Sequence, residues 1–150
     1  MKEQVIIKET TIEKTRKKIR ENKGREIIFS SDDDELNRKI LEKEKIDILL
    51  INQAGRQDFQ KQRNSGLNHI MAKLAKTNNV VIGINLEEIL ESEKKQKAEI
   101  LARIRQNIKI CNKNKLKMKF ITEKEKNKRD IYDLRSLGIV LGMPTWMLKE

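Results

Sequence analysis

His69 and Cys111 are the only histidine and the only cysteine in the chain, so any nucleophilic pair would have to bring those two together. Cys111 follows Ile108 and Ile110 on what reads as the inner face of a helix. A small buried hydrophobe is the simpler role for it there. A zinc or di-metal hydrolase needs several His, Asp or Glu side chains at strand ends, and a single histidine does not supply them. The run Asp32-Asp33-Asp34 could attract a cation, but its place at the start of a helical pattern reads as an N-capping acidic turn. No residue is therefore assigned a catalytic or metal-binding role, and no cofactor is expected for the chain itself. Phosphate-cradling motifs are missing too: no Gly-x-Gly-x-x-Gly and no Gly-Lys-Ser/Thr follows a strand-like run. Phe29, Phe59, Phe120, Tyr132 and Trp146 are scattered, with no pair suited to stacking bases on a sheet, and Gly-x-x-Gly is absent. Any nucleic-acid binding must then rest on charge and shape more than on base reading.

Charge is where the chain is most informative. Residues 94–129 hold fourteen Lys or Arg against three Glu, a surplus equal to the formal +11 of the whole protein. The remainder is neutral. A localised surplus is the electrostatic footprint of a phosphate-backbone binder. Its candidate contacts are Lys94, Lys95, Lys97, Arg103 and Arg105 on a long helix, then Lys113, Lys115, Lys117 and Lys119 leading into a strand. Lys124, Lys126, Lys128 and Arg129 lie in the loop after it. The bland alternative is a solvated helix face.

The elements that must position these residues follow from apolar periodicity. Val5-Ile6-Ile7, Ile27-Ile28-Phe29, Ile46 to Ile51, Val80 to Ile84, Leu116 to Phe120 and Ile139-Val140-Leu141 read as six short strands. Helical stretches alternate with them: one capped by Thr10-Thr11, one opened by Ser30 to Asp33, one carrying Leu67, Ile70, Met71 and Leu74, one from about Ser92 to Cys111, and one from Asp130 to Leu137. Repeated strand-then-helix order implies a parallel α/β architecture, and short strands with moderate helices suit a βα-barrel better than a dinucleotide-binding unit. Residues 1–150 read as one domain. No stretch approaches the apolar length of a membrane span, and Met1-Lys2-Glu3-Gln4 is unlike the start of a secretory signal, so the expected location is the cytoplasm.

Four stretches carry a resemblance. Gly55-Arg56-Gln57-Asp58 is similar to an Arg-Lys-Asp loop, and Gly66-Leu67-Asn68-His69-Ile70-Met71-Ala72-Lys73-Leu74-Ala75 to a Gly-Ile-Asp-His-Val-Leu-Ala-Arg/Lys-Leu helix. Val81-Ile82-Gly83-Ile84-Asn85-Leu86, with Ile89-Leu90, and Asp133-Leu134-Arg135-Ser136-Leu137-Gly138, ending at Gly142-Met143, complete the set. In order and spacing, from about Ile27 to Met143, the chain resembles archaeal ribonuclease P protein component 3, the 30-kilodalton subunit family with a TIM-barrel-like fold related to PHP-type phosphoesterases. Two departures stand out: Asn68 replaces the family's Asp, and Ile131 replaces its Pro. Family members usually carry two further βα units before the region matching Val5 and a helix after the region matching Met143. The expectation here is thus a shortened barrel of about six strands, whose edge is covered by a partner, another copy or charged residues.

The resemblance implies a protein subunit of ribonuclease P, the RNA-containing endonuclease that removes the 5′ leader from precursor tRNA. Its expected partners are the ribonuclease P RNA, a small RRM-like protein subunit and the other ribonuclease P proteins. Catalysis belongs to the RNA and its Mg2+ ions, so the chain alone is not expected to be catalytic. Arg56, Asp58, Asn68 and His69 are the family-motif residues, with Arg56, Asp58 and His69 expected on the C-terminal rim of the barrel. Two other readings remain: a divergent phosphoesterase-type hydrolase on the same barrel, and a protein-docking subunit that binds no RNA.

Overall fold

The computed structural model describes residues 2–149. Five strands alternate with helices: β1 (Gln4–Ile7), α1 (Ile12–Glu21), β2 (Glu26–Ser30), α2 (Asp34–Lys43), β3 (Ile48–Ile51), α3 (His69–Thr77), β4 (Val81–Asn85), α4 (Leu86–Glu91), α5 (Lys94–Lys113), β5 (Met118–Ile121) and α6 (Ile131–Leu141). Short 3-10 turns occupy Glu125–Asn127 and Thr145–Leu148. All strands are parallel, and their spatial order is their chain order, β1-β2-β3-β4-β5. Sequential winding without a reversal is the barrel pattern, since an open doubly wound sheet changes direction at a switch point. The sheet does not close. It curls enough, however, for Lys8 just past β1 to reach Glu123 just past β5, with Nζ 2.6 Å from Oε1, so an ion pair links the two edge strands.

Alternate residues face opposite sides. Ile27, Phe29, Leu49, Ile51, Ile82, Ile84 and Met118 face outward and pack with Leu36, Ile40, Leu41, Met71, Ala72, Ile100, Ile104 and Ile108 of the helices in the main core. The concave side holds a smaller cluster, Ile28, Ile48, Leu50 and Ile121. Gly83 makes that cluster possible. A Cβ there would stand 3.0 Å from Ile48 Cγ2 and 3.2 Å from both Leu50 and Ile121.

Helix boundaries follow local chemistry. Thr11, Asp33, Asn68 and Asp130 each accept a backbone N–H in the first turn of the helix they precede. One expected strand is absent. Ile139-Val140-Leu141 forms the last turn of α6, giving five strands where six were expected. Asp130 starts that helix and left-handed Gly142 ends it, with Met143 N–H donating to the Gly138 carbonyl at 2.9 Å. Ile139 and Val140 look strand-like because they are β-branched, yet they sit on the solvent side, 60% and 69% exposed.

Candidate nucleic-acid interface

The loop between β3 and α3, residues 52–68, crosses the C-terminal ends of the strands and is held from three helices. From α2, Asp34 receives two hydrogen bonds from the Arg56 guanidinium, both 2.8 Å, while Arg56 Nε–H donates to the Asn52 carbonyl. From α4, the Glu88 carboxylate accepts the N–H groups of Gln53 (2.6 Å) and Ala54 (2.8 Å). From α5, Arg103 Nε–H donates to Asp58 at 2.9 Å, and its terminal nitrogens donate to the carbonyls of Gln53 (3.1 Å) and Arg56 (2.8 Å). Gly66 closes the loop with a left-handed φ of 78°, and a side chain there would overlap both Arg56 and Ile51.

These bonds set the carboxyl groups' proton affinities. The Arg103 hydrogen bond, helped by the Asn64 N–H, holds Asp58 below the ordinary aspartate range. Glu88 goes the other way. Burial raises it, against the two N–H donors, with Asp32 nearby adding to the rise. Beneath the loop, Asn85 donates to Asn52 (2.9 Å), and Asn52 donates to Ser30 (3.1 Å) and Asp32 (3.3 Å). Asp33 is spent capping α2. Among the described residues no group of three or more His, Cys, Asp or Glu side chains is arranged to hold a metal ion.

Two expected positions need correction. Arg103 was expected to meet phosphate, but it is 3% exposed and its donors are committed to the loop. It sits three residues after Ile100 and four before Asn107, on the buried face of α5. His69 does not join Arg56 and Asp58 on the rim. The loop runs down α5, where Ser65 accepts from Asn107 and Gln106, and α3 begins only there. The His69 ring meets Asn114 (Nδ1 to Nδ2, 3.0 Å) just past the end of α5, about 16 Å along the helix axis from Arg103. Asn68, where the motif has Asp, accepts the Met71 N–H at 2.9 Å, so its amide oxygen fills the cap without charge.

The remaining cations divide by partner. Lys124 lies 2.6 and 2.9 Å from the Glu91 carboxylate, which Asn127 also bonds; each partner favours the charged form of the other. Lys128 pairs with Glu125 and Lys95 approaches Glu99. Lys115 lies 5.8 Å over the Trp146 ring, and Arg129 donates to the carbonyls of Lys126 and Lys128. Lys117 and Lys119 project from the concave side of β5. Lys126 is exposed on its loop, and Lys94 and Lys97 lie in the first turn of α5. The solvent face of α5 carries Arg105 and Lys113, joined by Lys109 at the intervening turn. Arg63 of the loop shares a shallow depression with Arg105 and Lys109. Sequence reasoning missed Lys109 and Arg63. The four-residue spacing Arg105, Lys109, Lys113 would have found the first; the second needs the folded loop.

The model of the family described as RNase P subunit p30 matches residues 32–149. The chain is 34% identical over 102 residues to ribonuclease P protein component 3 of Methanococcus maripaludis strain C7, covering 68% of this chain and 41% of that protein. It is 30% identical over 150 aligned residues to the protein of that name from Methanocaldococcus jannaschii, covering 97% of this chain and 62% of that one. Among solved structures, one chain in a cryo-EM structure of archaeal ribonuclease P with mature tRNA superposes with a TM-score of 0.80 at 26% identity, over 97% of this chain and 62% of its own length. An uncharacterised protein's crystal structure shares the fold alone, with a TM-score of 0.61 at 11% identity. The chain thus spans 41% to 62% of the length of these relatives. The motif match, now seen as one loop pinned by three helices and a capped α3, together with a family model covering all but the first strands, shows that the chain belongs to the RNase P subunit p30 family.

Proposed function

We propose that this chain acts as a protein subunit of ribonuclease P and binds its RNA through the outer face of α5. The observation that carries this reading is the stripe of Arg105, Lys109 and Lys113, none of which has an acidic partner among the described residues; Arg63 stands beside it, its guanidinium 3.4 Å from Asp58 Oδ2, the carboxylate oxygen that Arg103 leaves open. Cations on successive turns, about 6 Å apart along the axis, can each meet a backbone phosphate and release its counterion. The rim arginines are spent inside the protein, so they fix the loop and do not reach RNA.

In this role the chain adds no catalytic group. Mg2+ held by the RNA would carry the cleavage of precursor tRNA, and the small RRM-like subunit and other ribonuclease P proteins would complete the particle in the cytoplasm. Among the described residues no helix is long and apolar enough to cross a membrane. The test is cleavage of precursor tRNA by a cognate ribonuclease P RNA with its partner subunits, at moderate magnesium, with and without this chain. Higher activity with the chain, falling when Arg105, Lys109 and Lys113 are changed together to Gln, supports the proposal. No effect of the chain on cleavage overturns it.

A further inference from the structure

Six large apolar side chains are exposed among the described residues, and Phe59 differs from the rest in its setting. Ile131, Tyr132, Ile139 and Val140 belong to α6, and Ile70 to α3. Phe59 stands instead in the loop between β3 and α3, 58% exposed and outside the hydrophobic core. The Trp146 and Tyr132 rings each have a cation over them, Lys115 and Arg135, whereas the Phe59 ring has none among the described residues.

The ring is held in place from below. Asp58 Oδ1 accepts the Asn64 N–H and the Arg103 Nε–H, both at 2.9 Å, and the Arg63 carbonyl accepts from Gln106 at 3.0 Å. Residues 59–63 are thereby closed into a short turn pinned to α5 at both ends, and all five are exposed. The turn reads Phe59-Gln60-Lys61-Gln62-Arg63: one ring, two amides, two cations and no acid. Its support is internal to the fold, since α5 packs between α3 and α6.

Continuous duplex offers this ring nothing, because paired bases stack on one another and turn their phosphates outward. An unpaired base has a free π-face, and stacking on an aromatic side chain holds it whatever its sequence. Beside the turn, Arg105, Lys109 and Lys113 extend the positive charge for about 12 Å along α5. A protein partner would favour further apolar area around the ring; Gln60, Lys61, Gln62 and Arg63 supply donors and positive charge in its place.

We infer that Phe59 is a stacking platform for an unpaired base of RNA, so that the α5 face takes a single-stranded or bulged segment in preference to continuous duplex. This rests on the RNA-binding role proposed for α5 and names the class of RNA that the face takes. One base lies on the Phe59 ring, and the adjoining phosphates run past Arg63 to Arg105 and Lys109.

The test uses the full chain and a fluorescein-labelled RNA of about twelve nucleotides, offered single-stranded or annealed to its complement. Phe59→Ala should weaken single-strand binding about tenfold and leave duplex binding unchanged. Phe59→Leu keeps apolar bulk without a π-face and should behave like Phe59→Ala. Phe59→Trp should keep the wild-type affinity, and its added indole emission should be quenched by the single strand and not by the duplex. The slope of log K against log salt should be the same in all three, because no charge changes. Changing Arg105, Lys109 and Lys113 together to Gln separates the two ideas. If that triple change leaves every affinity unaltered, the RNA-binding face fails and the platform with it. If it weakens binding while Phe59→Ala behaves like the wild type, the face stands and the platform alone is overturned. Equal losses of single-strand and duplex binding in Phe59→Ala would also overturn it. So would intact RNA binding with lost association to other ribonuclease P proteins, which would make the ring a protein contact.

Discussion

Arg103 and Arg105 are two residues apart on α5, and exchanging each for a neutral side chain should produce opposite phenotypes. Arg103→Met keeps the hydrocarbon stem and removes three hydrogen bonds, to Asp58, Gln53 and Arg56. Hydrogen bonds to charged groups contribute about 1.5–3 kcal/mol each, but simple addition overshoots, because the exposed side of the loop can regain water. Removing one partner from a buried ionic network costs about 3–5 kcal/mol, the better guide for a side chain with 3% exposure. With a urea m-value of about 2 kcal/mol per molar, the unfolding midpoint should fall by roughly 1.5–2.5 M. The salt dependence of RNA binding by the protein that remains folded should hardly change. Arg105→Gln should leave stability within about 0.5 kcal/mol and lower the slope of log K against log salt by about 0.7–0.9. Urea titration followed by circular dichroism gives the first quantity, and filter binding to ribonuclease P RNA from 50 to 400 mM salt, a range of about one decade, gives the second. A reduced salt slope with an unchanged midpoint in Arg103→Met would refute the inward role assigned to Arg103.

Three further outcomes follow from separate parts of the structure. Gly83→Ala puts a methyl group 3.0–3.2 Å from Ile48, Leu50 and Ile121, and should cost about 1–3 kcal/mol by overpacking; an unchanged urea midpoint would contradict the curled concave core. Burial pushes the Cys111 thiol up to about 12, so it should resist a chromogenic disulfide reagent at pH 8 until urea unfolds the chain; rapid labelling of the native protein would count against it. Asp58 is held below its ordinary value, so its stabilising contribution is present above the unfolded pKa of about 3.9 and lost as pH falls through the lower folded one. Amide exchange at Asn64, whose N–H bonds to Asp58 at 2.9 Å, should therefore accelerate in that acidic window, and Asp58→Asn should abolish the pH step. An unchanged step in the variant would place its source elsewhere.

Much of the fold was legible from periodicity and capping. Asp33 and Thr11 cap as their types suggest, and Leu36, Ile40, Leu41, Ile104, Ile108 and Cys111 all face the core. The failures have physical causes. Ile139-Val140 satisfied a strand propensity that the Asp130 cap and Gly142 stop override. Counting charge over residues 94–129 located the basic segment but treated its cations as equivalent. Arg103 and Arg105 differ by about 200° around the helix, and only phase separates a core arginine from a surface one. That phase was present in the spacing of Ile100, Arg103 and Asn107. The path of the loop was not, because seventeen residues without apolar rhythm gave no hint that His69 would end beside Asn114. The pairing of Lys124 with Glu91 also depends on tertiary structure, since 33 residues separate them.

The rim acids connect the fold to the proposed interface. A hydrolytic βα-barrel aims carboxylates and histidines from its strand ends at a ligand with their lone pairs available. Here Asp34 is bound to Arg56, Asp58 to Arg103 and Asn64, and Glu88 to the main chain of Gln53 and Ala54. Each fastens the same loop to a different helix. The loop then runs down α5 and leaves Arg63 beside Arg105 and Lys109. Negative charge that a phosphoesterase would offer to metal and substrate is thereby used to hold a positive flank in shape. A preorganised flank loses less entropy on meeting RNA than one built on an unfixed loop. Under the proposed function the rim would matter to RNA binding without having to touch RNA, since its carboxylates hold in place the loop that presents Arg63.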